Sequence, residues 1–108
     1  MWVMTTRGFF SVVADRDDAS QVLVRARVRQ DLEALAEVGD LPEIAETPTA
    51  DYRWRVRLSR AEWSRALARL AEEIEYPNFK DAVAERQGHE REGSYHRIWA
   101  VLRELQGR

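Results

Sequence analysis

The chain has 108 residues, of which 44% are hydrophobic and 33% charged, a composition typical of one globular domain and not of a disordered segment. It has no cysteine, which excludes disulfides, thiolate zinc sites and cysteine nucleophiles, and its net charge of -2 gives no bulk attraction to polyanions. No apolar stretch approaches the roughly 20 residues needed to span a bilayer, and the start lacks the pattern of a secretory signal. We expect a cytoplasmic protein without a cofactor.

Two strands joined by a polar loop are predicted at the start of the chain. The first should cover residues 2–13, with Gly8 marking a bulge or a sharp twist. Residues 14–20 predict a hairpin loop rich in side chains that bond their own backbone, and the second strand runs over residues 21–29. Apolar residues at alternate positions of the second strand indicate a sheet with one buried face.

A short helix and two further strands follow. Leu32 and Leu35 have helical spacing, and Gly39 suits the position just beyond the end of a helix. The segment around Ile44, which lies between two prolines, is interpreted as a short edge strand. Residues 52–58 alternate clearly and predict a central strand.

The clearest helix begins after Ser59. Ser59 and Glu62 have the spacing of a capping box, in which each side chain accepts a hydrogen bond from the backbone N–H of the other residue. The apolar stripe that follows consists of Trp63, Leu67, Leu70 and Ile74. Helical spacing and strand parity converge, so one core should form. Its expected members are Val24, Trp54, Val56, Trp63, Leu67 and Leu70.

Two more helices are predicted towards the C-terminus. Pro77 suits the first position of one helix, and the apolar spacing from Tyr95 to Leu105 indicates the other. Between them, Gly88 and Gly93 bracket a polar stretch that is either a loop or a frayed helical turn.

The element order β-β-α-β-β-α, followed by two helices, predicts an α+β fold. This order results when the last strand of a ferredoxin-like sheet is moved to the front of the chain. We therefore expect a permuted ferredoxin-like sandwich of four antiparallel strands, with two helices on one face, in a single domain over residues 1–108. Residues 1–76 should form the sandwich and residues 77–108 a helical extension, which either covers the other face of the sheet or leaves it to solvent.

Arginine occupies every second position in two of the predicted strands. The arginines in these runs are Arg25, Arg27, Arg29, Arg53, Arg55 and Arg57. Because strand side chains alternate between faces, each run places its arginines on one side of the sheet and its apolar residues on the other. The residues predicted to bind an anionic partner are Arg25, Arg27, Arg53, Arg55 and Arg57.

Two interpretations of this arginine face remain open. Guanidinium groups pair with phosphates and stack on bases, and RNA-recognition modules use an open four-stranded sheet face. Those modules also need exposed aromatic residues, whereas Tyr52 and Trp54 are expected on the opposite face. Alternatively the face is solvated, or acids of the C-terminal helices neutralise it. The candidate acids are Asp81, Glu85, Glu92 and Glu104.

Other candidates for chemistry are few. Asp15, Asp17 and Asp18 could hold a divalent cation, although an acidic hairpin loop is more often a hydrated turn. His89 and His96 would lie about 10 Å apart on one helix, too far to share a metal. Phosphate-loop and nucleophile-elbow motifs are missing from the sequence, so no catalytic residue, metal site or cofactor is predicted.

Four segments carry a resemblance to other proteins: GFFSVV, VRARVRQDLE, YPNFKDAV, and RQG followed by YHRIWAVL. They resemble a family of short bacterial proteins that occurs in chromosomes, phages and plasmids and has no established activity. The resemblance covers most of the chain and implies that these segments belong to one domain. An association with mobile elements favours a binding or interfering protein over a metabolic enzyme.

The leading hypothesis is a small non-enzymatic binding module that acts through contact with another protein, as a regulatory or interference factor of a mobile element. The first alternative is a nucleic-acid-binding domain that uses the arginine face. The second is a metal-dependent hydrolase or nuclease at the acidic loop. No contact with a membrane is expected, and the sequence does not define an oligomeric state.

Overall fold

The computed structural model describes residues 1–107 and separates the chain into two compact units, one spanning Met1–Glu75 and the other beginning at Tyr76. The first unit holds an antiparallel sheet and two helices, and the second holds two helices. No helix in the described part of the chain is long and apolar enough to cross a membrane.

The sheet has five strands, and every neighbouring pair is antiparallel. The strands are β1 (Trp2–Met4), β2 (Phe9–Ala14), β3 (Gln21–Ala26), β4 (Ala45–Glu46) and β5 (Trp54–Ser59), and the helices are α1 (Arg29–Ala36), α2 (Arg60–Glu72), α3 (Phe79–Gln87) and α4 (His89–Arg103). The order across the sheet is β1-β2-β3-β5-β4. The predicted α+β class is confirmed, but the predicted count of four strands is wrong.

The extra strand arises because residues 2–13 form a hairpin and not one continuous strand. The backbone N–H of Thr5 donates to the carbonyl of Gly8 at 2.9 Å, and the Thr5 hydroxyl donates to the same carbonyl. Gly8 therefore lies in a turn and not at a bulge. A Cβ at this position would lie 2.5 Å from Cγ of Asp31 in α1, and this close approach requires glycine.

One face of the sheet carries the core. The buried apolar residues are Phe10, Val12, Val22, Val24, Ala26, Leu32, Leu35, Val56, Leu58, Trp63, Ala66 and Leu70. Both α1 and α2 pack on this face, and their apolar stripes meet the alternate strand residues there. The predicted core is confirmed, with Trp54 and Leu67 packed at its margin and only partly buried.

The predicted capping box at the start of α2 is confirmed. The Ser59 hydroxyl accepts from the backbone N–H of Glu62 at 3.1 Å, and Glu62 Oε1 accepts from the backbone N–H of Ser59 at 2.8 Å. The bond that the Glu62 carboxylate accepts from the backbone N–H of Ser59 is the largest cause that lowers the pKa of Glu62, and the Ser59 side chain adds to it. β5 therefore passes directly into α2 without a loop.

Arg7, in the turn between β1 and β2, connects this turn to the helices. Its guanidinium donates to Glu73 at 2.6–3.0 Å, to Glu37 at 2.7 Å and to the carbonyl oxygen of Ala34 at 3.1 Å. Only 9% of its side chain is exposed. The hydrogen bonds that Arg7 donates to Glu73 are the largest cause of the raised pKa of Arg7. We call Arg7, Glu37 and Glu73 the Arg7 cluster.

At its helix starts, the second unit differs from the prediction in α3 and takes one of the two predicted alternatives in α4. α3 begins after Asn78, whose side chain accepts from the backbone N–H of Asp81 at 2.9 Å, so Pro77 precedes the cap and is not the first helical residue. The polar stretch after Gly88 is the first turn of α4, and Gly88, with φ of 94°, makes the sharp connection between the helices.

Candidate anion-binding face of the sheet

The second face of the sheet, opposite the core, carries one row of directly paired residues across all five strands. The row consists of Trp2, Ser11, Arg25, Arg55 and Ala45. Residues paired in this way point to the same side, with side chains about 5 Å apart. The register therefore places Arg25 of β3 directly beside Arg55 of β5, as the alternation of the sequence predicts.

Neutral groups hold both of these arginines in place. Arg25 donates from Nη2 to the hydroxyl of Ser11 at 2.8 Å, and its guanidinium lies 4.6 Å from the ring centroid of Tyr52. Arg55 donates from Nη2 to the backbone carbonyl of Tyr52 at 2.8 Å, whereas its Nε is buried without a hydrogen-bond partner among the described residues. Both side chains are half-buried.

Arg25 and Arg55 have no acidic partner in the sheet unit. Within residues 1–75, every ion pair belongs to another arginine, and no carboxylate lies within 4 Å of either guanidinium. Like charges directly opposite each other in a sheet destabilise it. We call these two residues the arginine pair. It is a centre of positive charge that the sheet unit leaves without a counter-ion.

The other predicted arginines are neutralised. Arg27 pairs with Asp51 at 3.2 Å and stacks 4.3 Å from the ring of Tyr52, and Arg57 pairs with Asp15. These acids belong to loops of the sheet unit itself and are not among those proposed from the C-terminal helices.

The arginine face is smaller than the sequence predicts. β3 ends at Ala26, so Arg29 lies in α1. Arg53 precedes β5, pairs with Glu46 and lies 5.5 Å from the ring of Trp54, which packs at the margin of the core. Arg53 therefore does not join the arginine pair.

Aromatic residues lie on the second face, where the sequence did not predict them. Tyr52 comes before β5 starts, so the alternation of side chains along a strand does not set the direction of its ring. The ring lies under the guanidinium groups of Arg25 and Arg27, and only 4% of the residue is exposed. Phe9 lies 6.5 Å from Tyr52, and Trp2 packs edge-to-face on Phe9 at 5.8 Å. Trp2 is 75% exposed. The expectation that Tyr52 lies on the face opposite the arginines is wrong.

The acidic loop folds around its own backbone. Asp15 accepts from the N–H of Asp17 at 2.9 Å and from Arg57, and Asp18 accepts from the N–H and the hydroxyl of Ser20 at 2.9 and 2.6 Å. These hydrogen bonds lower the pKa of both carboxyl groups, the bond from Asp17 being the largest cause for Asp15 and that from the Ser20 hydroxyl for Asp18. Across residues 1–107 no group of three or more histidine or acidic side chains is placed to hold a metal ion.

In the helical unit, the two histidines have different surroundings. His96 stacks on Trp99 at 5.3 Å, and its Nδ1 lies 3.1 Å from Nζ of Lys80, which in turn lies 4.2 Å from the ring of Trp99. His89 is exposed at the start of α4.

Comparison with known proteins adds no relative. No protein-family model matches the chain, and no curated protein or solved structure matches it either.

Proposed function

We propose that this chain is a non-enzymatic binding module whose second sheet face takes single-stranded nucleic acid. The observation that carries the proposal is the arginine pair: Arg25 lies directly opposite Arg55, and neither has an acidic partner within residues 1–75. A chain with a net charge of -2 has acids available, yet no acid within residues 1–75 pairs with either arginine.

A phosphate group suits this pair because each guanidinium offers planar donors that match phosphate oxygens. An anion bound between the two arginines would also remove the repulsion between them.

The aromatic residues favour a nucleic acid over a small phosphate ligand. Trp2 and Phe9 continue the second face beyond the arginine pair. Any base can stack on such rings, so this contact depends little on the nucleotide sequence. Three strand spacings separate β1 from β5, so Trp2 and Arg55 lie roughly 14 Å apart across the sheet. A face of this width fits an extended strand better than one phosphate group.

The permuted ferredoxin-like relationship is part of the same proposal. It is supported by the strand order β2-β3-β5-β4, which follows from moving the last strand of that fold to the front, and by two helices on one face. RNA-recognition modules use the open face of such a sheet. We also propose a cytoplasmic location, because the sequence has no cysteine.

Fluorescence anisotropy with short labelled single-stranded RNA and DNA tests the proposal. We expect binding that weakens steeply between about 50 and 200 mM salt, because phosphate contacts release counterions. Arg25→Gln and Arg55→Gln should each weaken binding by about fivefold or more. Arg65→Gln is the matched control, because it removes the same charge from an exposed position of α2, which packs on the opposite face, and it should change binding by less than about twofold.

Trp2→Ala provides a second variant that does not disturb the core, since Trp2 is exposed. It should weaken binding by about fivefold or more through lost stacking and leave thermal unfolding unchanged. The proposal is wrong if neither RNA nor DNA binds at low salt, or if Arg65→Gln weakens binding as much as Arg25→Gln does. Binding of a poly-glutamate peptide without binding of nucleic acid would instead indicate an acidic protein as the partner.

A further inference from the structure

The C-terminal half of α4 exposes an apolar stripe. Its residues are Ile98, Val101, Leu102 and Leu105. Between 40% and 67% of each residue is exposed, although the spacing i, i+3, i+4, i+7 is that of a packing face. Leu105 continues the stripe beyond Arg103 because the backbone N–H groups of Glu104 and Leu105 still bond carbonyls three residues back.

This exposure is unlike the scattered apolar residues of an ordinary surface. The sequence predicts Ile98, Leu102 and Leu105 as one apolar face of an amphipathic helix, and nothing within residues 76–107 covers that face. A contiguous apolar patch on a helix indicates an interaction surface. The remaining question is which partner covers it.

We propose that a second copy of this chain covers the stripe, with the two α4 helices packed antiparallel. The charges that flank the stripe support this occupant. With Ile98 and Val101 at the a and d positions of a heptad, Arg97 and Glu104 both occupy g positions. In an antiparallel pair g positions face each other, so Arg97 meets Glu104 of the partner subunit, and two-fold symmetry repeats the contact.

The opposite orientation lacks this complementarity. In a parallel pair a g position faces an e position, which places Arg97 beside an apolar leucine. Neither Arg97 nor Glu104 forms an ion pair within residues 76–107, and the guanidinium of Arg97 bonds only the hydroxyl of Ser94, at 3.2 Å. Both charges are therefore free to meet a partner.

The size of the stripe sets the strength of the association. Two helical turns bury less than the roughly 800 Å² per partner of a standard interface. We therefore expect a weak, concentration-dependent dimer, independent of the proposed nucleic-acid binding.

Analytical ultracentrifugation of the full chain over a hundredfold concentration range tests the proposal. The wild-type chain should shift from monomer to dimer as concentration rises. Arg97→Glu alone and Glu104→Arg alone should each shift this equilibrium towards the monomer by about tenfold, because each brings like charges together. The combined variant Arg97→Glu with Glu104→Arg should dimerise like the wild type, because it restores both pairs.

Two further variants keep the result interpretable. Val101→Ser changes an exposed residue of the stripe and should abolish dimerisation while circular dichroism shows an intact fold. Arg103→Glu reverses a charge at the outer f position of the same heptad and should leave the equilibrium unchanged. A wild-type chain that stays monomeric at every concentration, or a combined variant that stays as weak as the single ones, would overturn the antiparallel dimer. A monomer that binds phosphatidylcholine vesicles through Val101 would indicate a lipid surface as the occupant instead.

Discussion

The Arg7 cluster and the arginine pair present two different solutions to a partly buried guanidinium. Arg7 has acids on two sides, since Glu73 and Glu37 both accept from it, and a backbone carbonyl accepts a further bond. Within residues 1–75, the guanidinium groups of Arg25 and Arg55 contact a hydroxyl, backbone carbonyls and an aromatic ring. The positive charge of Arg7 is therefore compensated by carboxylates within the fold. The charges of the arginine pair have no carboxylate partner within residues 1–75.

This difference distinguishes a structural arginine from a candidate binding arginine. Removing one partner of a buried ion pair is costly because the other charge stays behind in a poorly solvated position. Removing one of two adjacent like charges relieves their repulsion, and this relief offsets part of the stability lost with the hydrogen bonds of the removed guanidinium. The two regions should therefore respond differently to mutation. Arg7 and its acids stabilise each other, whereas Arg25 and Arg55 repel each other.

The largest expected effect is on the Arg7 cluster. Arg7→Met keeps most of the apolar stem of the side chain but removes the bonds to Glu37 and Glu73. We expect a loss of about 2–4 kcal/mol in the free energy of unfolding, less than for a fully buried pair because Glu37 is largely exposed. Urea denaturation measures it, with Arg69→Met on the exposed face of α2 as the control, which should lose at most about 0.5 kcal/mol. Equal losses in the two variants would show that Arg7 is not structural.

The turn that carries Arg7 gives the next largest effect. In Gly8→Ala the new Cβ would lie 2.5 Å from Cγ of Asp31, so the Asp31 side chain must move. This movement weakens the hydrogen bond of 3.0 Å that Asp31 accepts from the backbone N–H of Phe9. We expect a loss of about 1–3 kcal/mol, the usual cost of overpacking. Gly93→Ala is the control, because the nearest atom to its Cβ is a side-chain nitrogen at 3.9 Å and alanine favours the helix. It should stabilise α4, and a loss there equal to that of Gly8→Ala would contradict this explanation.

A smaller effect is expected at the cap where β5 becomes α2. Ser59→Ala removes the acceptor for the backbone N–H of Glu62 and should cost about 0.5–2 kcal/mol. Ser64→Ala, on the exposed side of the same helix, should be neutral or slightly stabilising. Thermal denaturation at pH 7 is suitable, because Glu62 is then fully ionised. Because folding lowers the pKa of Glu62, its ionised carboxylate contributes stability to the folded state when the pH is above the ordinary pKa of the group. This stability is lost as the pH falls through the lowered pKa of the folded state.

Local patterns in the sequence predict the parts of this fold that depend on near neighbours. Strand alternation predicts that Val24 and Val56 share the core and that Arg25 and Arg55 share the other face. The spacing of Ser59 and Glu62 predicts the cap, because both partners lie within one helical turn. In each case the physical cause lies within a few residues or in the period of the strand itself.

The parts that the sequence does not predict depend on contacts between distant segments. Gly8 resembles a bulge residue, yet the reason for glycine is Asp31, which lies more than twenty residues away. Tyr52 has the parity of a core residue, but β5 begins only at Trp54, and the ring turns to meet Arg25 and Arg27. No local pattern reports these approaches, and the aromatic part of the candidate site was therefore missed.

The smallest effect is the most informative for the arginine pair. In a double-mutant cycle of Arg25→Gln and Arg55→Gln, each single change loses its own hydrogen bonds but also removes the repulsion between the two charges. The double variant removes that repulsion only once, so its loss of unfolding free energy should exceed the sum of the single losses, by about 0.2–1 kcal/mol. Added salt should reduce this excess, because it screens the repulsion. A double variant that loses less than the sum would show that Arg25 and Arg55 support each other, as Arg7 and its acids do, and the contrast between the two regions would then fail.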